Sequence, residues 1–487
     1  MSPSRQDLTT GPIGSTLLKF SLPVLGGNVL QSLNASVNAV WVGHYLGEAA
    51  LTATSNANII LFFLLGVVFG VGMATTILVG QAVGRKDIAQ ARCVVGTGSV
   101  FFIVLSVIAA VLGYVFTPAI FVAMGTPIEA QPLAISYLRV IFIALPFMFF
   151  FSFVMMALRG AGDSRTPFYF MALSVLLDIV LNPVFIFGVG PLPPLGIAGS
   201  ALATLISQLV SLAAMLMFLV RRGHFLLPTR KELSVFKPKP ALLRTLVAKG
   251  LPMGLQMVVI SSSAIVMISL VNTYGTDTTA AYGVASQLWT YVQMPALALG
   301  AGVSSMAAQN VGAGLWNRVD RIATVGVGLN LVLTGALAVV LYAFNRHSLG
   351  IFLPDGTQAI AIAQHINMIV VWSFVAFGVT IVLFGVVRAT GAVYAPLIIL
   401  FISIWLIRLP VASLLQERFG ADAIWWSFPL GAMVSLMLAA AYYRYGGWRD
   451  SRMAAGTPAD DTATPVAHAP ETGMGMPAAA PSVPRQS

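Results

Sequence analysis

Asp178 stands in the middle of the stretch SVLLDIVLNPVFIFG, residues 174–188, with Asn182 one helical turn after it. Between Ser174 and Asn182 every other residue is aliphatic. A charge at the centre of a bilayer helix costs roughly 2.5–3.5 kcal/mol on insertion scales, so a carboxylate kept there is compensated or used. A carboxyl group withdrawn from water can take up a proton on one side of a membrane and give it up on the other as its surroundings change. The same group ringed by neutral oxygens can hold sodium, because hard cations favour oxygen ligands. The residues alone leave both chemistries open.

Partners for the carboxylate are available. Gln31, Asn34 and Asn38 follow spacings of three and four, which at about 100° per residue share one helix face. Asn182 shares the face of Asp178. Thr204, with Gln208 four residues on, can complete a polar cluster. Singly, such amides read as hydrogen bonds between helices, worth under about 2 kcal/mol each in membranes. Grouped around the one acid placed deep in an apolar run, they read as a cation-coupling site. Further along, Gln256, Gln287, Trp289 and Tyr291, with some of the 20 methionines, are candidates for a pliable substrate cleft. Pro23 and Pro252 each remove a helix hydrogen bond and permit a hinge. Gly66-x-x-x-Gly70 and Gly80-x-x-x-Gly84 match the small-residue pattern of close helix packing. The five histidines are scattered, Cys93 is single and no phosphate-cradling loop occurs. No cofactor, metal cluster or enzymatic activity is therefore expected; sodium at Asp178 is the one metal ion left open.

These residues need membrane helices to hold them. The chain is 58% hydrophobic and 9% charged, where soluble domains carry about 25% charged residues. About twelve runs of roughly 20 apolar residues can be marked, the first at 17–42 and the last at 423–443. They are too long for the roughly ten-residue alternating strands of a barrel. The prediction is an all-α integral membrane protein with twelve transmembrane helices, without a cleavable signal peptide. Asp178 lies about ten residues into its run, roughly 15 Å deep. Of 26 Lys and Arg residues, Arg139, Arg346, Arg408 and Arg418 fall at one set of span ends and the other twenty-two at the opposite set, which includes both termini. Positive residues accumulate inside, so both termini are expected in the cytoplasm, in a multi-pass inner-membrane protein. The net charge of +10 then reports topology and anionic headgroups, not nucleic acid.

The chain also repeats itself. Pro23 of SLPVLGG recurs as Pro252 of GLPMGLQ at a shift of 229, and Gln81 of GQAVGRKDIAQAR recurs as Gln309 at 228. LRGAGDSRTP, residues 158–167, is echoed by VRATGAVYAP, residues 387–396, at 229. Six spans in each half make parallel repeats about an axis along the membrane normal. The expected division is 1–220 and 249–445 for two six-helix lobes, 221–248 for a basic cytoplasmic linker and 446–487 for a disordered tail.

The opening LPVLGGNVLQSLNASVNAVWVGHYLGEAALTATS, the GQAVGRKDIAQAR loop, LRGAGDSRTP, and LNPVFIFG followed by LGIAGSALAT together resemble multidrug and toxic compound extrusion (MATE) transporters, over residues 12–443. The resemblance implies two six-helix lobes around a central cleft, and export of drug-like cationic compounds against inward proton or sodium flow. Members with a first-lobe cation site carry an acid fifteen residues after the first-span proline, where this chain has Asn38. Their fifth span shows asparagine and then the acid before the proline; here the order is Asp178 and then Asn182. The expected protein is a monomeric antiporter whose partners are lipophilic cations and the bilayer. A lipid-linked oligosaccharide flippase is the alternative, and its cleft should carry several cations for a pyrophosphate. A membrane-embedded enzyme or channel would need a nucleophile with its base, or a polar stripe on several spans.

Overall fold

In lipid every backbone N–H and C=O must be satisfied within the chain, and long apolar runs meet that demand as helices. The computed structural model describes residues 7–188, 193–227, 235–353, 357–451 and 453, and its regular elements are all helical. The first half contains α1 (Ile13–Leu46), α2 (Glu48–Gly84), α3 (Ile88–Ala123), α4 (Gln131–Gly160), α5 (Arg165–Phe187) and α6 (Ile197–Arg221). The second contains α7 (Pro240–Asn272), α8 (Thr276–Gly312), α9 (Trp316–Ala343), the short α10 (Asn345–Gly350), α11 (Gln358–Val370) and α12 (Ser373–Thr390). It ends with α13 (Tyr394–Phe401), a π-helical turn over Ile402–Arg408, α14 (Leu409–Leu414), the short α15 (Gln416–Phe419) and α16 (Asp422–Tyr445).

Among the described residues, 11 helices are long and apolar enough to cross a membrane, with α13 to α14 taken as one. The twelfth crossing is α8, whose 37 residues are ample in length but include Gln287, Gln293 and Asn310. Two crossings are irregular. The tenth is broken between α11 and α12, where the Ser373 hydroxyl donates to the Val370 carbonyl at 2.6 Å and competes with the helix ladder. The eleventh widens into the π turn just before Pro410, a residue with no N–H to donate.

The first lobe packs α4 against α2, α3 and α6, with α5 between α1 and α6; the second packs α12 against α8, α9 and α16. The lobes are joined by exchange of their leading helices: α1 lies on α8, and α7 lies on α2. The early part of α1 touches the second lobe, with Leu17, Phe20 and Ser21 against Gly302 and Leu17 also against Gly326. Past Pro23 it returns to α5, with Gly26 on Phe168 and Gly27 on Met171. α7 mirrors this. Gly250 and Gly254 lie on Val71 and Gly66 of α2, and beyond Pro252 the Trp405 indole donates to the Val259 carbonyl at 3.2 Å. A side chain at Gly70 would overlap the Gly250 carbonyl, so the small-residue pattern serves the lobe interface.

The segment boundaries shift at two places. α7 starts at Pro240, so its first turns take in Pro240–Ala248, which the sequence reading gave to the linker; residues 228–234 lie outside the described residues. The tail does not begin as a disordered segment. Trp448 is buried, stacks on Tyr443 at 5.1 Å and donates its indole N–H to the Tyr443 carbonyl, and its own carbonyl accepts from the Thr390 hydroxyl. Burying one large ring outweighs the polar composition around it. Residues 454–487 lie outside the described residues.

Candidate functional site

α5 is anchored at its start by Asp163, whose carboxylate accepts the backbone N–H groups of Arg165 and Thr166 and the Thr166 hydroxyl. Just under four turns further on, Asp178 is 2% exposed. Its Oδ2 accepts from the side-chain amides of Asn34 at 2.8 Å and Asn38 at 2.9 Å, both on α1. Its Oδ1 accepts from the Thr204 hydroxyl of α6 at 3.0 Å. Asn182 completes the ring by donating to the Asn38 Oδ1 at 2.8 Å and to the Asp178 backbone carbonyl at 2.9 Å. Five of the six expected residues thus meet where α1, α5 and α6 converge. The exchanged order of Asp178 and Asn182 keeps acid and amide in one cluster.

Three neutral donors on one buried carboxylate offset the solvation that its ionised form has lost. Two acceptors at the edge of the cluster, Asn34 Oδ1 and Asn182 Oδ1, are buried without a donor. Tyr137 of α4 lies close enough to feel the Asp178 charge. Sequence reading missed it, because Ser136 and Arg139 on either side make Tyr137 read as an ordinary polar span end.

Gln31 is not part of the cluster. It is exposed, one turn too far along α1 to reach the carboxylate. Gln208 also stays apart, its Oε1 buried without a donor. In the second lobe, Trp289 is 3% exposed and packs among Tyr282, Phe374 and Phe428, donating to Asn367 Oδ1 at 2.8 Å. It is a core residue, not a cleft wall, because its ring fills a gap between α8, α11 and α16. Gln256 is buried too and accepts from Arg388 at 2.5 Å. Gln287 and Tyr291 are half-exposed. Exposed polar side chains well inside spans, such as Gln31, Ser55 and Asn58, fit a water-filled cleft better than lipid.

The lobes are sealed against each other at the end where α2 and α8 finish. Gln81 of α2 donates to the Ala389 carbonyl of α12 at 2.7 Å, and Gln309 of α8 donates to the Gly160 carbonyl of α4 at 3.0 Å. Side chains at Gly84 and Gly312 would overlap the Gln309 and Gln81 carbonyls, so only glycine lets α2 and α8 meet here. The N-terminal segment crosses the same seam: Leu8 is buried, Asn310 donates to its carbonyl, and Arg318 donates to the carbonyls of Thr10 and Gly11. The repeat of Gln81 and Gln309 was visible in the sequence; the bonds across the lobes were not.

The chain matches the MatE family model twice, over residues 23–184 and 252–414, which reproduces the internal repeat. It is 38% identical over 428 residues to the probable multidrug resistance protein YoeA of Bacillus subtilis, covering 88% of this chain and 92% of that one. It is 25% identical over 439 residues to the FAD transporter of Shewanella oneidensis, covering 90% and 96%. Among solved structures, the outward-facing conformation of a multidrug resistance MATE family transporter superposes with a TM-score of 0.83 at 21% identity, over 90% of this chain and 96% of that one.

Proposed function

Because the chain belongs to the MATE transporter family, we propose that it is a secondary antiporter expelling lipophilic cations, with Asp178 as the group that exchanges the coupling cation. The observation that carries this reading is the hold of Asp178 on α1. That helix lies on α8 and α9 in its first turns and is tied to α5 through Asn34 and Asn38 after Pro23. A proton arriving on Oδ2 takes up one of the lone pairs that now accept the two amide N–H groups, so at most one of the two bonds keeps its strength. The hold of α5 on the outer part of α1 is loosened, with the Asn182–Asn38 bond left in place, and the bend at Pro23 passes the change to the lobe seam. Loss of the proton restores the ring of donors. Two six-helix lobes sealed against each other at one end are the material of alternating access.

The cargo follows from charge. The exposed polar groups of the cleft are neutral, and its one buried acid favours a cation. An anionic cargo, such as the one named for the Shewanella relative, or a lipid pyrophosphate would require fixed cations in the cleft. The second reading is sodium coupling, favoured by the two orphan oxygens, Asn34 Oδ1 and Asn182 Oδ1. Rotated amides would turn such oxygens toward a cation beside Asp178. The bias of Lys and Arg supports cytoplasmic termini in the cell membrane. Ethidium uptake into inverted vesicles, energised in turn by proton and sodium gradients, tests the reading. Uptake driven by the proton gradient alone is expected; uptake driven by sodium alone selects the second reading, and uptake with neither rejects antiport.

A further inference from the structure

We propose that the groove between α5 and α6, at the end that carries both termini, binds an anionic phospholipid. The groove has a volume of about 490 Å³ and is lined by Phe170, Ala214, Met217, Phe218, Arg221 and Arg222. Its composition is graded along the membrane normal. Arg221 is the last residue of α6 and Arg222 caps it, so both stand at headgroup level. Ala214, Met217 and Phe218 lie one to two turns deeper, beside Phe170. Met217 and Val220, on the outer face of α6, are 53% and 67% exposed, so the groove opens sideways to lipid.

The arginines are free to receive an anion. Neither makes an ion pair among the described residues; Arg222 rests over the Phe218 ring at 4.9 Å, which fixes the guanidinium without neutralising it. Phe218 in turn meets Phe170 edge-on at 5.5 Å. Cations above and rings with a thioether below match a phosphate headgroup followed by an acyl chain. A free phosphate would leave the apolar floor unused, and a zwitterionic lipid would leave net charge at the mouth. Positive charge in the cytoplasmic headgroup layer attracts anionic lipids in the same way. The site is independent of the role proposed for Asp178, yet Phe170 lies two turns before Asp178 on the same helix, so an occupant would bear on the coupling element.

The test is native mass spectrometry of the full chain in detergent, with phosphatidylglycerol, phosphatidylcholine or inorganic phosphate added. Wild type should retain one phosphatidylglycerol about tenfold more strongly than phosphatidylcholine. The double variant Arg221→Gln with Arg222→Gln should lose that preference. Ala214→Trp fills the floor and keeps both cations, and it should lower retention as well, at unchanged size-exclusion profile. Equal retention of the two lipids by wild type, or unchanged phosphatidylglycerol retention in the double variant, would overturn the proposal. Phosphate binding that survives Ala214→Trp would make the site one for the free anion and likewise overturn it.

Discussion

Gln81 and Gln309 occupy equivalent places in the two halves, and each crosses to the last turn of a helix in the other lobe, at 2.7 and 3.0 Å. Further out on the leading helices the halves part company. Where the first half has Gln31, Asn34 and Asn38, the second has Ile260, Ser263 and Met267 at the same shift of 229. Ser263 spends its hydroxyl on the Ile260 carbonyl of its own helix, and Met267 is fully buried in the core. Arg408 of the second lobe, by contrast, lies 3.6 Å over the Phe428 ring. Both halves keep the proline, the sealing glutamine and the glycine three residues after it, while among the described residues only the first carries a buried acid with amides around it. Sealing thus belongs to the pair of lobes, and the buried acid with its amides to one of them.

Removing the acid should break the comparison most severely. Asp178→Asn keeps size and hydrogen bonding, so the protein should insert normally while gradient-driven dye efflux falls to background. Ser263→Ala, at the place of Asn34 in the other lobe, should leave efflux within about twofold, since the lost bond is local and worth about 1 kcal/mol or less. Equal losses would assign coupling to both lobes.

The exchanged order of acid and amide offers an intermediate effect. Four residues move a carboxylate about 6 Å along the axis and about 40° around it. Asn182 already touches Asn38. Asp178→Asn with Asn182→Asp should therefore recover part of the efflux lost by the single variant, at matched expression. A double variant as inactive as the single one would tie the site to position 178 itself.

The smallest and most symmetric effect belongs to the seam. Gln81→Leu and Gln309→Leu each delete one buried bond, worth about 0.5–1.5 kcal/mol, and should shift the lobes toward opening at this end by about two- to tenfold. The two shifts should agree within about twofold. Spin-label distances between the α2–α3 and α8–α9 loops, in a Cys93→Ser background, would report them. A large effect from only one glutamine would end the equivalence of the two seals.

The sequence disclosed most of this where a residue violated its surroundings. A carboxylate among aliphatic residues exposed Asp178, and amides at helical spacing exposed Asn34 and Asn38. Gln31 shares their nominal face but stands a turn away, and side-chain reach decides such cases where angle does not. Trp289 has the same periodicity whether it faces a core or a cleft, so only packing separates the two. Twelve apolar runs and a repeat shift of 228 to 229 residues gave the lobes. The placement of α1 on α8 and of α7 on α2 has no one-dimensional signal, because it depends on which small residues meet across the seam.

Proton release on substrate binding tests the role of Asp178 most directly. Ethidium added to purified protein in weakly buffered detergent, with a pH indicator, should displace protons from wild type and none from Asp178→Asn, with or without sodium. Release of equal size from both proteins, or a sodium-dependent response without any proton signal, would contradict proton exchange at this carboxylate.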